Sequence, residues 1–346
     1  MKDKIIVAMS GGVDSSVAAY KMLKEGFDVV GVTLKLFDSE NTEKMIADAE
    51  SVAKLLGIKW CVADYSSYFK DVISYFINSY RKGETPNPCA YCNKTAKFVY
   101  LFNEMQKNNA KYIATGHYAK IIEKNGKKYI GKATNLQKDQ SYYLALLDSF
   151  QISLLKFPLS EIDSKDETRQ IAKEIGLPVS EKKDSQEVCF LCGRNYREFL
   201  SEKVDSKRFK KGYMIYNGKK LREHEGVEFY TVGQRRGLGL NYHEPLYVKE
   251  IDAKKGNIYL AKKEEVVKRG VKLRDVNMVD DRLRVFKAKA KIRYRMNEED
   301  CLVEILPESK ALILFEKPQF APTKGQLAAI YLDDIVVGGG FIYETF

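Results

Sequence analysis

The alternation of strand-like and helix-like segments in the first two-thirds of this chain is the feature that most limits its fold. Residues 5–9 form an apolar run typical of a buried strand, and a helical pattern over 14–24 is closed by Gly26. The later segments are strands at 29–37, 60–63 and 112–115 and an amphipathic helix over 43–56 that ends at Gly57. This order predicts an α/β fold with a doubly wound parallel sheet.

The sequence changes character after about residue 205. Short β-branched and aromatic runs are then separated by the turn-forming stretches 217–218, 255–257 and 338–340. Such a pattern predicts small antiparallel sheets or barrels. We therefore expect boundaries near residues 205 and 270, which divide the chain into 1–205, a small central β-rich domain over 206–270, and a β-barrel over 271–346.

Composition and cysteine content exclude several classes of protein. The chain has 346 residues, of which 45% are hydrophobic, so it can bury a large core and is not disordered. The apolar run at 5–9 is too short for a secretory signal, and no stretch is long enough to span a membrane. Six cysteines in a chain of this length do not indicate a disulfide scaffold. We expect a cytoplasmic protein.

The positive charge is concentrated toward the end of the chain. Of a net charge of +11, the residues after 205 contribute +8, from 28 basic and 20 acidic side chains. Five basic residues alternate with apolar ones, a spacing that predicts one wholly cationic face of a β-strand: Lys287, Lys289, Lys291, Arg293 and Arg295. Because like charges on one face repel each other, we interpret this face as a contact for a phosphate backbone rather than as a solvated surface.

The heptad Ser10-Gly-Gly-Val-Asp-Ser-Ser16 lies between the first predicted strand and the first helix. A glycine pair lets the backbone turn tightly, so that free N–H groups and the helix N-terminus form an anion site. Asp14 either orients this loop or binds Mg²⁺. The Walker pattern and the three-glycine dinucleotide pattern are absent. The heptad therefore predicts a phosphate-binding loop of another type, in preference to a plain capped turn.

Four of the six cysteines form two C-x-x-C pairs, Cys89 with Cys92 and Cys189 with Cys192, which lie far apart in the sequence. Four thiolates suit a structural zinc ion, three suit an iron–sulfur cluster with one open iron, and two suit a redox or persulfide pair. The long separation weakens the zinc hypothesis. Cys61 and Cys301 lie in apolar, strand-like surroundings typical of core cysteines.

One charged loop keeps two interpretations. The stretch 230–239 contains Arg235 and Arg236 between glycines. This pattern suits an RNA contact and a charged surface turn equally well.

The heptad resembles the pyrophosphate-binding loop of the ATP pyrophosphatases, which cleave ATP between its α and β phosphates and adenylate an oxygen of the substrate. The two cysteine motifs, 85–94 and 183–190, closely resemble those of the bacterial tRNA-specific 2-thiouridylases, the tRNA-uridine 2-sulfurtransferases of the ATP pyrophosphatase family. Further matching stretches follow in the expected order at 114–118, 138–142, 224–227 and 230–239. The resemblance runs nearly end to end.

This resemblance implies an adenine nucleotide alpha hydrolase-like catalytic domain over 1–205 and a C-terminal barrel that binds tRNA. Cys189 would carry the persulfide sulfur, and Cys92 would be the second catalytic cysteine, attacking the persulfide or pairing with Cys189 in a transient disulfide. The implied ATP contacts are Ala8, Met9, Ser10, Gly11, Gly12, Val13, Asp14, Ser15, Leu34 and Gly116. The implied target-base residues are Asn87, Pro88 and Cys89, and the implied tRNA contacts are His117, Lys138, Asp139, Gln140, Arg293, Tyr294 and Gln326.

Cys89 departs from the pattern of many relatives, which have Asp at this position. The site therefore resembles the family's cysteine-rich form, for which a [4Fe–4S] cluster on Cys89, Cys92 and Cys189 is implied, with one iron free to hold a sulfide. Cys192 is additional to this set, as a fourth ligand, a resolving thiol or an inert residue.

The implied reaction is ATP-dependent 2-thiolation of the wobble uridine in tRNA. ATP with Mg²⁺ adenylates the uridine C2 oxygen, and sulfur from a persulfide or a cluster-bound sulfide then displaces AMP. The implied partners are the anticodon stem-loops of lysine, glutamate and glutamine tRNAs and a sulfur donor, either a cysteine desulfurase or a relay protein, without a membrane. The rival hypotheses are a small-molecule ligase with the same loop, which does not need Cys92 and Cys189, and a non-catalytic zinc-containing RNA-binding protein, which leaves the heptad unexplained.

Overall fold

The computed structural model describes residues 2–182 and 188–346. In these parts of the chain the α-helices are α1 (Val13–Lys24), α2 (Glu40–Leu56), α3 (Ser66–Arg81), α4 (Pro88–Cys92), α5 (Phe98–Lys107), α6 (Ser149–Ser153), α7 (Lys165–Glu174) and α8 (Tyr196–Lys203). A π-helix, Asn93–Lys97, joins α4 to α5. No helix in the described part is long and apolar enough to cross a lipid bilayer.

Helices separate most of the early β-strands, whereas the strands from residue 212 onward follow one another without an intervening α-helix, as the sequence predicts. The strands are β1 (Lys4–Ala8), β2 (Asp28–Lys35), β3 (Lys59–Asp64), β4 (Tyr112–Ala114), β5 (Lys120–Lys124), β6 (Lys127–Gly131), β7 (Leu155–Lys156), β8 (Gly212–Tyr216), β9 (Lys219–His224), β10 (Tyr247–Asp252), β11 (Asn257–Ala261), β12 (Val267–Met278), β13 (Val285–Lys291), β14 (Glu299–Leu306), β15 (Lys310–Phe320), β16 (Leu327–Leu332) and β17 (Ile335–Thr345).

The chain divides into two compact units. The first comprises Met1–Val72, Cys89–Phe190 and Asp334–Val337, and the second comprises Ile73–Pro88, Leu191–Asp333 and Gly338–Phe346.

A parallel sheet of order β3-β2-β1-β4-β7 forms the centre of the first unit. Ile5 and Val7 point from β1 into a cluster with apolar residues of α1, α2 and α7. Ile6 alternates with them and is equally buried, and α5 contacts the strands β1, β2 and β4. The predicted doubly wound sheet is confirmed.

The second unit contains a small sheet of order β10-β11-β8-β9 with its own apolar core around Met214, Val248 and Ile258. The predicted turn at 217–218 is confirmed as the connection between β8 and β9, with left-handed φ angles of +48° at Asn217 and +75° at Gly218.

Most of a six-stranded barrel also lies in the second unit. Its order is β12-β15-β14-β13-β16-β17, and pairing of β17 with β12 closes it. The predicted C-terminal β-barrel is therefore confirmed.

The glycine stretch at 338–340 is not a turn, contrary to the sequence prediction. It lies inside β17, where Gly338 pairs with Met278 and Gly339 with Asn277 across an irregular stretch of β12. A Cβ atom on Gly338 would lie 2.4 Å from the carbonyl oxygen of Asn277. These glycines therefore serve the close approach of two strands.

The predicted cationic strand is only partly correct. On β13 the exposed Lys287 and Lys289 alternate with the buried Ala288 and Ala290, as expected. The face is not wholly cationic, because Asp300 of β14 lies directly opposite Lys289.

The strand also ends earlier than its charge spacing suggested. It stops at Lys291, and Arg293 and Arg295 lie in the turn that follows. Arg293 turns inward at this point, where its guanidinium donates to the Ala321 carbonyl oxygen.

Candidate functional site

The order of the parallel sheet reverses between β1 and β4, since β2 and β7 lie on their outer sides. Ligands of doubly wound folds bind at such a switch point, beyond the carboxyl ends of the strands. The heptad follows β1 and the residues 115–117 follow β4. Gly116 is so close to α1 that a Cβ atom would lie 2.8 Å from the Ser15 nitrogen. The predicted ATP residues Gly116 and Ser15 are therefore neighbours.

The first turn of α1 is left open. Gly12 is the N-cap residue, with φ −101°, and no side chain caps the helix. Ser15 and Ser16 turn their hydroxyls back to the Gly12 carbonyl oxygen, at 3.0 and 2.8 Å. Gly11 has φ +61°, and a Cβ atom there would lie 2.4 Å from the Met45 carbonyl oxygen. Backbone N–H groups at this helix end are available to an anion.

Two other predicted ATP residues surround this loop. Met9 is buried, and its carbonyl oxygen accepts the Thr33 hydroxyl at 2.8 Å. Leu34 follows Thr33 on β2 and is half-buried. The structure thus brings the end of β2 beside the heptad. The predicted contacts Ala8, Ser10 and Val13 belong to the same strand–loop–helix segment.

Asp14 is held by groups from distant parts of the chain. Its Oδ1 atom accepts the Lys165 ammonium at 2.6 Å and the Tyr118 hydroxyl at 2.7 Å. The Tyr118 hydroxyl also lies 2.8 Å from Thr168 Oγ1. These contacts support the orienting role predicted for Asp14, and motif analysis missed Lys165 because nothing local marks it.

A second lysine supports the glycine turn. The Lys182 ammonium donates to the Gly11 carbonyl oxygen at 2.9 Å and to Asp48 Oδ2 at 2.6 Å. Lys165 and Lys182 thus add two cations beside the heptad that no local pattern predicted.

The thiols of Cys89, Cys92 and Cys189 lie near one another in the first unit. Each side chain reaches solvent, but protein atoms surround it on most sides. This desolvation raises the pKa of Cys89 to about 11 and that of Cys189 to about 12, and the neighbouring thiols raise the Cys189 value further. Burial also raises the pKa of Cys92. Burial therefore favours the protonated thiol at all three cysteines.

Lys97 is the cation that opposes this effect. It lowers the pKa of all three thiols electrostatically, and a hydrogen bond from its backbone lowers that of Cys92 as well. Lys97 ends the π-helix that begins directly after Cys92. Short π-helical segments are frequent at functional sites. The only signal in the sequence was its position five residues after Cys92.

Cys189 is anchored by its neighbour. Phe190 is buried and packs edge-on against Phe69, with ring centroids 6.1 Å apart. Residues 183–187 of the second cysteine motif lie outside the described residues. Cys192, three residues further on, has a left-handed φ of +51°.

His117 is an uncharged residue of this site. Burial and the charge of Lys97 hold its pKa well below the usual range. Its Nδ1 atom lies 2.7 Å from the Thr115 hydroxyl, and its ring stacks on Phe98 with centroids 6.0 Å apart. The neutral imidazole offers a flat face and a hydrogen-bonding nitrogen rather than a charge for phosphate.

The predicted tRNA contacts at 138–140 form a loop fastened to the residues after β4. Gln140 exchanges hydrogen bonds with the Tyr118 backbone, at 2.8 and 3.0 Å. The buried Asp139 accepts the Ser141 hydroxyl at 2.6 Å and the Ala133 N–H at 2.9 Å. These two side chains are occupied in shaping the loop, and Lys138 beside them is half-buried.

Three family models match the chain in succession. They are a tRNA methyl transferase HUP domain over residues 3–193, a tRNA methyl transferase PRC-barrel domain over 197–262 and an aminomethyltransferase beta-barrel domain over 268–342. A relative from Thermoanaerobacter pseudethanolicus named tRNA-specific 2-thiouridylase MnmA 1 is 40% identical, over 98% of both chains. The chain belongs to the tRNA-specific 2-thiouridylase family.

Other thiouridylases match over similar lengths. The tRNA-specific 2-thiouridylase MnmA of Acetivibrio thermocellus is 40% identical over 99% of both chains, and that of Clostridioides difficile is 38% identical over 100% of this chain and 99% of its own. Among solved structures, the U34-tRNA thiolase NcsA from Methanococcus maripaludis with its [4Fe-4S] cluster covers 58% of this chain and 64% of its own, at 17% identity and a TM-score of 0.37. A likeness this weak carries no argument about the site.

Two predicted tRNA contacts of this thiouridylase lie in the second unit and make internal hydrogen bonds. Arg293 Nη2 donates to the Ala321 carbonyl oxygen and the Thr323 hydroxyl, both at 2.6 Å. Gln326 Nε2 donates to the carbonyl oxygens of Thr85 and Pro86, at 2.9 and 3.1 Å.

The predicted target-base residues continue the chain directly from Pro86. Asn87 and Pro88 are buried, and Pro88 begins α4, where its fixed φ suits the first helical position. Gln326 thus fixes the segment that leads to Cys89. Tyr294 is half-buried, with the Lys291 ammonium 5.5 Å from its ring centroid.

The cysteine set has the donor type of an iron–sulfur site, since thiolates are the ligands such clusters take. Within residues 2–182 and 188–346, however, no three Cys, His, Asp or Glu side chains are arranged to hold a metal ion. The cluster on Cys89, Cys92 and Cys189 stays a prediction, and no chemical step below depends on it.

Proposed function

We propose that this chain is an ATP-dependent tRNA sulfurtransferase that converts the wobble uridine of tRNA to 2-thiouridine. The observation that carries the proposal is the end-to-end match, at about 40% identity, with relatives named tRNA-specific 2-thiouridylases. An open helix N-terminus and a group of three thiols in the same unit provide the chemistry this reaction needs.

The first step uses the heptad and the switch point. The N–H groups at the start of α1 bind the ATP phosphates, with Lys165 and Lys182 holding the loop in shape. Leu34 and Gly116 contact the nucleoside. The uridine C2 oxygen attacks the α-phosphorus and pyrophosphate leaves, which converts a poor leaving oxygen into an adenylate. A Mg²⁺ ion bound to the nucleotide would screen the charge of its phosphates.

The second step uses the cysteines. The terminal sulfur of a Cys189 persulfide attacks C2, and AMP leaves with the former C2 oxygen. The Cys92 sulfur then attacks the Cys189 sulfur and its thiol proton passes to the departing base, so that the S–S bond to the transferred sulfur breaks and 2-thiouridine is released. The product is a Cys92–Cys189 disulfide, which two external thiols reduce in a two-electron step while they form a disulfide themselves.

The choice of tRNAs and the class of sulfur donor are proposed from the family resemblance. We propose lysine, glutamate and glutamine tRNAs as substrates, with the target base held by Asn87, Pro88 and Cys89. A cysteine desulfurase or a relay protein supplies the persulfide. A reducing cytoplasm suits the mechanism, because Cys92 and Cys189 must return to thiols after each turnover.

Cysteine variants test the sulfur step separately from adenylation. C92S and C189S should form no 2-thiouridine while retaining tRNA-dependent release of pyrophosphate. C61S is the matched control, because Cys61 lies on β3 outside this thiol group, and it should thiolate as the wild type does. Nucleoside mass spectrometry and a pyrophosphate assay measure the two steps. Thiolation by C92S and C189S at the wild-type rate would contradict the proposal.

Iron and sulfide analysis after anaerobic purification tests the cluster. If the wild type contains roughly four irons and four sulfides per chain and C89S has lost them, the sulfur donor is a cluster-bound sulfide instead of a persulfide. Their absence would leave the persulfide route, and zinc without sulfide would favour the structural zinc site.

A further inference from the structure

An open pocket of about 510 Å³ lies within the second unit, away from the heptad in the sequence. Its lining comes from the start of α8, from the segment after Tyr230 and from the turn after β13. The lining includes Tyr196, Arg197, Thr231, Gly233, Gln234 and Arg293. None of the residues lining it is acidic, so the pocket is positively charged.

Arg197 is fixed in this pocket without an ion pair. Its guanidinium lies 5.9 Å from the ring centroid of Tyr196 and 5.5 Å from that of Tyr230. Its Nε atom lies 3.4 Å from the Tyr196 hydroxyl, and no carboxylate of the described residues pairs with it. Tyr196 is itself stacked on Tyr80, with centroids 4.8 Å apart. The aromatic rings therefore position the guanidinium while its terminal N–H groups stay available to an anion.

The loop beside Arg197 carries two more unpaired cations. Arg235 and Arg236 are exposed, and no carboxylate in the described part of the chain pairs with either. Gln234 holds the loop closed, because its Oε1 accepts the Thr231 N–H at 3.1 Å and its Nε2 donates to the Arg236 carbonyl oxygen at 2.9 Å. A Cβ atom on Gly237 would lie 4.0 Å from Arg197 Nη1. The start of the loop thus lines the pocket, and its exposed part lies close to Arg197.

We propose that this pocket binds one nucleotide of the tRNA other than the reacting uridine. Its phosphate lies on the Arg197 fork, and Arg235 and Arg236 contact the neighbouring phosphates of the strand. The proposal rests on the proposed function, which supplies the tRNA.

The dimensions and the charge favour a nucleotide within a strand over a lone anion. The volume greatly exceeds what phosphate alone fills and is in the range of nucleotide-sized ligands. A planar guanidinium matches phosphate oxygens in pairs, and a chain of phosphates explains why further cations lie beside the pocket.

Arginine variants test this pocket. R197A should weaken binding of full-length tRNA roughly tenfold and lower the salt slope of log Kd by about one. R197K keeps the positive charge but loses the paired N–H donors of the guanidinium, so its affinity for tRNA should lie between those of R197A and the wild type. R208Q is the matched control, because Arg208 is an exposed arginine of the same unit outside the pocket, and it should bind as the wild type does.

The footprint of the tRNA gives a second measurement. Hydroxyl-radical protection by R197A should be lost at one discrete position, with protection at the anticodon retained. The double variant R235Q/R236Q should weaken binding and lower the salt slope in the same direction. If R197A melts at a lower temperature than the wild type, the double variant tests the proposal in its place, because the side chains of Arg235 and Arg236 are exposed.

The outcomes separate the two proposals. If the wild type neither binds nor thiolates tRNA, both fail. If the wild type thiolates tRNA and R197A and R235Q/R236Q match it in affinity, salt slope and footprint, the pocket proposal alone is wrong. Equal loss in R208Q and R197A would show general surface charge and would also overturn it.

Discussion

The side chains of Lys165 and Asp14 meet at 2.6 Å although 151 positions separate them in the sequence. Lys165 is the first residue of α7, and its side chain is only 11% exposed. The contact joins α7 to the first turn of α1, beside the N–H groups that we propose bind the ATP phosphates. It places a cation next to the one carboxylate in the heptad, and so limits the repulsion between Asp14 and a bound nucleotide.

Loss of Lys165 should therefore weaken ATP binding through Asp14. In K165M the carboxylate keeps the Tyr118 hydroxyl but loses its counter-charge, and we expect the Kd for ATP to rise roughly tenfold. Adding D14N should recover part of the loss, because the uncompensated anion is removed. Isothermal titration calorimetry of the two single variants and the double variant measures this coupling. Strictly additive effects would contradict the argument.

Replacing Gly12 should impair ATP binding without destabilising the fold. Its φ of −101° is ordinary for any residue, and a Cβ atom there would meet nothing closer than Ser10 Oγ at 3.6 Å. The fold therefore does not require glycine at this position, whereas a phosphate approaching the backbone does. G12A should melt within about 2 °C of the wild type and lose most ATP affinity.

G116A is the comparison for that variant. Its new Cβ atom would lie 2.8 Å from the Ser15 nitrogen, so α1 must shift and the melting temperature should fall together with ATP affinity. Thermal melting and ATP titration distinguish the two glycines. Normal ATP binding by G12A would remove the phosphate from this turn.

Sequence reasoning predicted the local structure of adjacent residues and missed the contacts between distant ones. The heptad and its strand and helix were predictable because glycines, serines and an apolar run are local signals. Lys165 and Lys182 reach the heptad from far along the chain, and no motif surrounds them. Arg293 was placed on a strand by its charge spacing, but hydrogen bonds to Ala321 and Thr323 draw it into a turn.

The raised thiol pKa values predict slow alkylation of the metal-free enzyme at neutral pH. A raised pKa keeps a thiol protonated below that value, and the thiolate is the reactive form. With a pKa of about 12, the rate at Cys189 should rise about tenfold per pH unit from pH 7 to pH 10. Iodoacetamide labelling followed by peptide mass spectrometry, after treatment with a chelator, measures the rate at each cysteine. A plateau below pH 9 would show that Cys189 is not desolvated.

Iodoacetamide labelling also tests the effect of Lys97 on these thiols. Because its charge lowers the thiol pKa values, K97M should slow labelling of Cys189 further at any pH in this range. K94M is the matched control, since Lys94 is a cation of the same π-helix, and labelling of Cys189 should change less in K94M than in K97M. Equal labelling in K97M and the wild type would mean that Lys97 does not act on this thiol.

Gln326 should act by positioning the residues before Cys89 rather than by holding tRNA. Its amide nitrogen is used by the Thr85 and Pro86 carbonyl oxygens, so Q326L leaves two carbonyls without their donor. Misplacement of Asn87 to Cys89 should lower kcat roughly tenfold with the Kd for tRNA within about twofold of wild type. Single-turnover thiolation and tRNA titration measure the two quantities. Q319L controls for lost stability, because Gln319 donates to the Lys317 carbonyl oxygen within the same barrel. A weaker tRNA affinity with unchanged kcat would instead make Gln326 a direct contact for tRNA, as the family resemblance predicts.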